Sequence, residues 1–560
     1  MLYIICVGKS SLRINGWGFG FLYLQKILFL TNYSYRFNYS LICADLLLII
    51  FVYLLLLIAI TFLQKKDWLH PIFKSSNKVP WWIPGLSLYM LCVSVDQGQL
   101  LTGIISEYGM KGMWMIWAGW LGTFVIPLVF APLWQKMNFI TDNQFLTFRF
   151  PGKSGKILHL FRAVYVGGLV VALSLCFHVL GFARVLQTYF ELDATTSIII
   201  TGSVLCLFAM KNVFDLKLKM DVFHAIIYFL SFLVILFSVW KVANGWDGIF
   251  TFFEKHQDKQ QLFPSKSDSN AWFSILIFLG VQWWSCYLFD GGGPEMARFT
   301  AVKGKKNAVL TGVLPILISL ILSFFVLGHI LLILGLPNTN SNHEIQYVES
   351  VLQVVPKSLK SLILLGFFGM FISTAESLLN WGASFLTIDA YKGYLQPESS
   401  EQHLRFISFG TMLFLSLLAM FFAIKIDSLQ SLIKITFSIA AGVAPVYILR
   451  WIWFRINAWS QLSAMLSSAV FTLLYPSIHK ILPLRNFPME ESRVLVVTII
   501  TTIIWVLITL LTPNQEIEVR NKMLPILGSG KVFIKSFVLA LFLGILLTLL
   551  ITLCWYLILN

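Results

Sequence analysis

Residues 362–397 read LILLGFFGMFISTAESLLNWGASFLTIDAYKGYLQP. The stretch is apolar enough to cross a bilayer, yet it carries Ser373, Thr374, Glu376, Ser377, Asn380, Ser384 and Thr387. At roughly 100° per residue, all of these except Thr374 fall within an arc of about 100° on one helix. The opposite face is Leu, Phe, Trp and Ala. Lipid cannot satisfy polar side chains, so such a stripe must face protein or a water-filled cavity. Glu376 sharpens the argument, because an acid at mid-membrane costs about 2.5–3.5 kcal/mol even on insertion scales. Back-bonding to the helix's own carbonyls explains a single Ser or Thr. A whole stripe with a carboxyl in it points to a solute or ion pathway.

The rest of the chain fits that setting. Mean hydropathy is +0.80, hydrophobic residues make up 58% and charged residues 12%. Soluble globular chains carry about 25% charge. Apolar runs recur along the whole length, so the fold class is an all-α, polytopic membrane protein. The net charge of +15 comes from basic residues gathered in alternate loops, as in cytoplasmic loops of membrane proteins. No arginine-rich arm or zinc knuckle points to nucleic acid. The seven cysteines are scattered and form no CxxC, so they indicate neither a disulfide framework nor a metal site. No buried His with a nucleophile or metal partner is legible on the spans, which argues against an enzyme.

Fourteen spans are predicted, at about 41–63, 80–105, 113–134, 160–183, 194–211, 220–243, 271–290, 307–335, 360–387, 405–424, 429–450, 457–476, 494–512 and 532–556. Residues 1–40 receive no role. Lys65, Lys66, Lys74 and Lys78 follow span 1, Lys136, Arg149, Lys153 and Lys156 follow span 3, and every second loop stays basic. These loops are assigned to the cytoplasm.

Several spans carry more than apolar residues. Span 2, VPWWIPGLSLYMLCVSVDQGQLLTG, runs Ser94, Asp96, Gln97 and Gln99 into the membrane among glycines, which fits a helix unwound at its midpoint. Span 7 holds Gln282, Trp283, Trp284 and Ser285, then breaks at Gly291–Gly292–Gly293 before Pro294. No strand precedes that glycine run and no GK[ST] follows, so it is not a nucleotide loop. Asp221 and His224 are placed at the cytoplasmic start of span 6, where the helix dipole would favour an acid. Arg450 and Arg455 mark the inner end of span 11, with Trp451, Trp453 and Trp459 as interface anchors. Spans 2 and 7 lie five apart, share Trp-Trp, amides and a glycine break, and enter from opposite sides. That pattern suits two five-helix repeats of inverted topology. The chain would divide into a flanking helix at 41–63, repeats at 80–243 and 271–450, and flanking helices over 457–560.

The segments VPWWIPGLSLYMLCVSVDQ, NFITDNQFLTFRFPGKSGK, QWWSCYLFDGGGPEMARFTAVKGKKNA, FISTAESLLNWGASFLTIDAYKGYLQP and LRWIWFRINAWSQ resemble the sodium/solute symporter family. The likeness covers roughly 41–460, and its most specific part runs from span 9 into TIDAYK. It implies an inverted five-plus-five helix core in a bacterial inner membrane. It also implies symport of a small polar solute into the cell by alternating access, with sodium as coupling ion and no cofactor. Matched by motif, it implies sodium ligands at the backbone carbonyls of Met90, Val93 and Met370 and the hydroxyls of Ser373 and Thr374. Carbonyl and hydroxyl dipoles can replace water around a bare cation without placing a full charge in the membrane. The solute is expected beside it, near Ser94, Asp96, Gln97 and Gln282. Asp221 matches an aspartate on the inward ion route. The chain departs from sugar-carrying relatives, with Ala118 or Gly119 where they have Glu and no Lys deep in 307–335, which argues against a galactose-like solute. Glu376 replaces a small residue of those carriers, so one alternative is proton coupling through Glu376. Another is a solute sensor of the same fold that does not transport.

Overall fold

The computed structural model describes residues 73–75, 78–209, 214–285, 290–336, 343–426, 429–481, 486–528 and 530–559. Residues 1–40 and span 1 lie outside them. Among the described residues, ten helices are long and apolar enough to cross a membrane, and a bent pair makes an eleventh. Two shorter apolar helices, Ala194–Phe208 and Ser269–Gly280, stand at predicted spans 5 and 7. Spans 2 to 14 thus each find a helix among the described residues, while the count of fourteen is not reached there.

Span 2 is the bent pair: α1 (Trp82–Cys92) and α2 (Gln97–Tyr108) meet at 45°. Val93 ends α1 in extended backbone, φ −88° and ψ 113°. A turn from the Ser94 carbonyl to Gln97 N (3.1 Å) then restarts the helix. The break packs on Gly181 of the long span Gly152–Phe190 (α3), where a Cβ would stand 2.9 Å from the Asp96 Cβ. Span 7 is also interrupted. Helix α4 (Ser269–Gly280), capped by the Asp268 carboxylate on Ala271 N (3.0 Å), gives way to a tight turn at Gln282–Trp284. Gly291 and Gly293 both sit at φ +68°, a region costly for L side chains, before Pro294 opens α5 (Pro294–Thr300).

The span Lys357–Leu395 (α6) is the centre of the bundle. In its most apolar window 89% of residues are buried, against 33–61% for the other nine spans. Its glycines let neighbours approach closely, as small residues do in membrane helices. A Cβ on Gly366 would meet Ser231 Oγ at 2.3 Å, and one on Gly382 would meet the Gly167 carbonyl at 2.7 Å. Ser231 belongs to α7 (Phe214–Val242), and Gly167 to α3. The segment Phe385–Leu395 continues α6 with wider π turns that carry Thr387 and Asp389 inward.

Two readings of position change. Asp221 lies two turns inside α7, not at its first turn, so other side chains rather than the helix dipole meet its charge. Trp451 and Arg450 are fully buried rather than anchored at an interface, whereas Trp459 is exposed as expected. Arg450 Nη2 and Trp451 Nε1 donate to the Asp290 carboxylate at 2.5 and 2.8 Å. Arg162 Nη2 donates to Asp142 at 2.5 Å, and Trp381 Nε1 reaches the same carboxylate at 3.1 Å. This buried network ties the TDNQ loop, the glycine run and the RWIW segment together. Each charge is paired, without which burial would cost several kcal/mol.

Candidate functional site

The site forms where the break in span 2 touches α6. Met90 and Val93 end α1 with carbonyls that the interrupted ladder leaves without their regular partners. The Thr374 hydroxyl on α6 lies 3.1 Å from the Met90 carbonyl, 3.2 Å from that of Met370 and 3.5 Å from that of Val93. The carbonyls of Met90 and Val93 lie 284 and 281 positions away in sequence, so tertiary packing alone makes this meeting. Thr374 is buried and Ser373 fully so. The Ser373 hydroxyl donates to Asp221 Oδ1 (2.6 Å), which aims its hydrogen away from the three carbonyls. The structure therefore gathers Met90, Val93, Met370 and Thr374 directly, and links Ser373 to them through the next residue along α6.

Asp221 is the hub behind this cradle. Its carboxylate accepts from Lys217 Nζ at 2.9 and 2.7 Å, from Ser373, and from the Ser87 hydroxyl. Arg298 on α5 donates to Ser87 Oγ and Ser377 Oγ at 2.9 Å each, and its guanidinium lies 3.5 Å from Asp221 Oδ2. Lys217 and Arg298 stand between predicted spans, in the basic stretches assigned to loops. The signal for Lys217 was its i,i+4 spacing to Asp221, which puts both on one helix face. Glu376, part-buried one turn beyond Ser373, is near enough to act on the Lys217 charge.

On the other side of the cradle lies a narrow cavity. Val93 and Met370 are shared by cradle and cavity, and Ser94, Gln97 and Gly98 from the break also line it. Of the four residues expected near the solute, Ser94 and Gln97 thus line this cavity. Asp96 does not: it turns toward α3 and meets His178 Nδ1 at 3.2 Å, with Ser94 bonded to both. The side chain of Gln282 lies outside the described residues. The aromatic wall was missed: Tyr228, Phe232, Phe367, His329 and Tyr347. Helix α8 (His343–Val354) brings Tyr347 over the break, where a Cβ on Gly98 would stand 2.3 Å from its ring. A second pocket, lined by Lys217, Arg298, Ser377, Asn380 and Trp381, opens toward Phe73 and Ile140. Along α6 the order is therefore cavity, cradle, Asp221 hub, second pocket.

A helical bundle whose broken span meets a hydroxyl-bearing central helix between two opposed cavities is built as an ion-coupled secondary transporter. The chain belongs to the sodium:solute symporter family, whose family model matches residues 73–468. It is therefore a multi-pass membrane protein of the sodium-coupled symport class. It is 21% identical over 445 residues to the sodium/glucose cotransporter of Vibrio parahaemolyticus, covering 72% of this chain and 78% of that one. It is 22% identical over 385 residues to the sodium/sialic acid symporter NanT of Aliivibrio fischeri (strain ATCC 700601 / ES114), covering 64% and 72%. A solved Na+-coupled sialic acid symporter, substrate-bound and outward-open with a novel Na+-site, shares its fold. The TM-score is 0.63 at 16% identity, over 86% of this chain and 99% of that one. The comparisons favour sodium over the proton-coupled and sensor alternatives.

Proposed function

We propose that the protein carries a small, neutral, polar solute into the cell with sodium, and that the Met90–Val93–Met370–Ser373–Thr374 cradle holds the ion. The observation that carries the neutral class is the cavity wall. Among the described residues, no Lys, Arg, Asp or Glu lines it. An ionised solute would lose its water there without gaining an opposite charge, at a cost of several kcal/mol. His329 is buried, with Nδ1 donating to the Phe325 carbonyl at 3.0 Å and Nε2 3.2 Å from Tyr347 OH, so both ring nitrogens are already engaged by the protein. Ser94, Gln97 and Ser231 offer hydroxyl and amide partners, while Tyr228, Phe232 and Phe367 offer aromatic faces. That mixture suits a small neutral solute with hydroxyl or amide groups and an apolar face.

Sodium couples to the solute because Val93 and Met370 serve both sites, so each ligand favours the arrangement of the break that the other needs. Purified protein in liposomes, given labelled hexoses, polyols, amino acids and carboxylates with and without an inward sodium gradient, tests both parts. Sodium-driven accumulation of a neutral solute is expected. Uptake indifferent to sodium overturns the coupling, and sodium-driven uptake confined to carboxylates overturns the solute class.

A further inference from the structure

We propose that the Lys217 ammonium is a built-in second cation, permanently filling an oxygen cage at Asp221, so that the protein binds a single sodium ion. The inference rests on the sodium cradle of the preceding section. Lys217 Nζ lies 2.9 and 2.7 Å from the two Asp221 oxygens and 3.0 Å from the Ser373 carbonyl. An ammonium has three N–H donors, and these three acceptors use all of them. Both side chains are buried, Lys217 at 3% and Asp221 at 0% exposure. A carboxylate, a main-chain carbonyl and flanking hydroxyls form the donor set that hard cations choose. Here its centre is taken by a charge tethered to the chain.

The position makes the charge functional rather than incidental. Ser373 is the residue the two sites share: its carbonyl holds Lys217 and its hydroxyl donates to Asp221, while the adjacent Thr374 meets the cradle carbonyls. A mobile cation in each site would place two ions within one turn of α6. Fixing one of them as Lys217, with the Arg298 guanidinium 3.5 Å from Asp221 Oδ2, keeps Asp221 neutralised without a second ion. The Lys217 side chain also lines the second pocket, so a truncated residue would open the cage to solution from that side.

Equilibrium binding of radioactive sodium to the purified full-length chain reads the count directly, with no solute required. Wild type is expected to bind one sodium per chain and K217R one, the guanidinium keeping the charge. K217A is expected to bind two, and K217A/D221N to return to one because the cage has lost its carboxylate. Two ions on wild type overturn the proposal while leaving sodium coupling intact; no ion on wild type overturns the cradle itself. One ion on a K217A protein that elutes and melts as a folded monodisperse species also overturns it. If K217A does not fold, the wild-type count alone decides.

Discussion

Thr374→Val keeps the shape of the side chain and removes the one hydroxyl that touches all three cradle carbonyls. In the structure those contacts are 3.1, 3.2 and 3.5 Å. In the proposed cradle the variant loses one of five oxygen ligands and leaves a methyl facing the ion. An interaction with a charged partner is worth about 1.5–3 kcal/mol. At about 1.4 kcal/mol per factor of ten, sodium affinity should fall roughly tenfold to a hundredfold. Thr374→Ser, which restores the hydroxyl on a slimmer side chain, should recover most of the loss. The assay is a sodium titration of solute uptake in liposomes, paired with equilibrium sodium binding on the same preparation. The half-saturating sodium concentration should rise with little change in the limiting rate, and the double variant Ser373→Ala/Thr374→Ala should show no sodium dependence. If Thr374→Val lowers the rate but leaves the sodium midpoint where it was, the hydroxyl is structural and the cradle is misassigned.

Other parts of the geometry give shorter tests. Gly98→Ala adds a carbon 2.3 Å from the Tyr347 ring; uptake should drop at least tenfold, and Tyr347→Ala in the same chain should restore part of it, read as a double-mutant cycle. Asp290→Ala leaves Arg450 buried without its 2.5 Å partner; thermal unfolding in detergent should show a loss of about 3–5 kcal/mol. Glu295, in the short helix after the glycine run, is pushed up to about 8 by burial, with Arg298 pulling down and Asp290 pushing up. An acid with a raised folded pKa holds its proton in the native state while the unfolded chain has lost it, so its effect on stability is absent below about 4.5 and grows more unfavourable as pH rises toward 8. Melting temperature should therefore fall across that window in wild type, and less steeply in Glu295→Gln.

How much of this was legible beforehand depends on whether the signal was local. The stripe on 362–397 announced itself because a helix period and a polar composition are properties of one segment. The break in span 2 was readable for the same reason: Asp96, Gln97 and Gly98 interrupt an apolar run. The predicted span 220–243 was set by the apolar run, whereas the helix already begins at Phe214, and this misplaced Asp221 at a helix start. What the sequence did not disclose are meetings across long separations. Nothing near Tyr347 says that its ring lies over Gly98, and nothing near Asp290 says that Arg450 and Trp451 answer it. Those partners were read as an interface loop because a Trp-rich basic segment after an apolar run has that look.

Lys217 shows where local rules lead astray even when every residue is in view. As a lysine in the basic stretch between two predicted spans it fits the positive-inside pattern, and an exposed i,i+4 pair of this kind would be worth only about a few tenths of a kcal/mol. Burial reverses that weight. Once both charges are enclosed, removing Asp221 alone leaves the Lys217 charge uncompensated, while removing Lys217 leaves Asp221 with only the Arg298 guanidinium at 3.5 Å. A residue that steers topology in one reading then becomes the group that decides how many ions a site can hold. The difference lies in what covers it: Phe214 and Arg298 beside it and α6 across the hub. Those neighbours come from α6, from α5 and from the start of the same helix α7, so only their packing around one carboxylate gives the lysine its function.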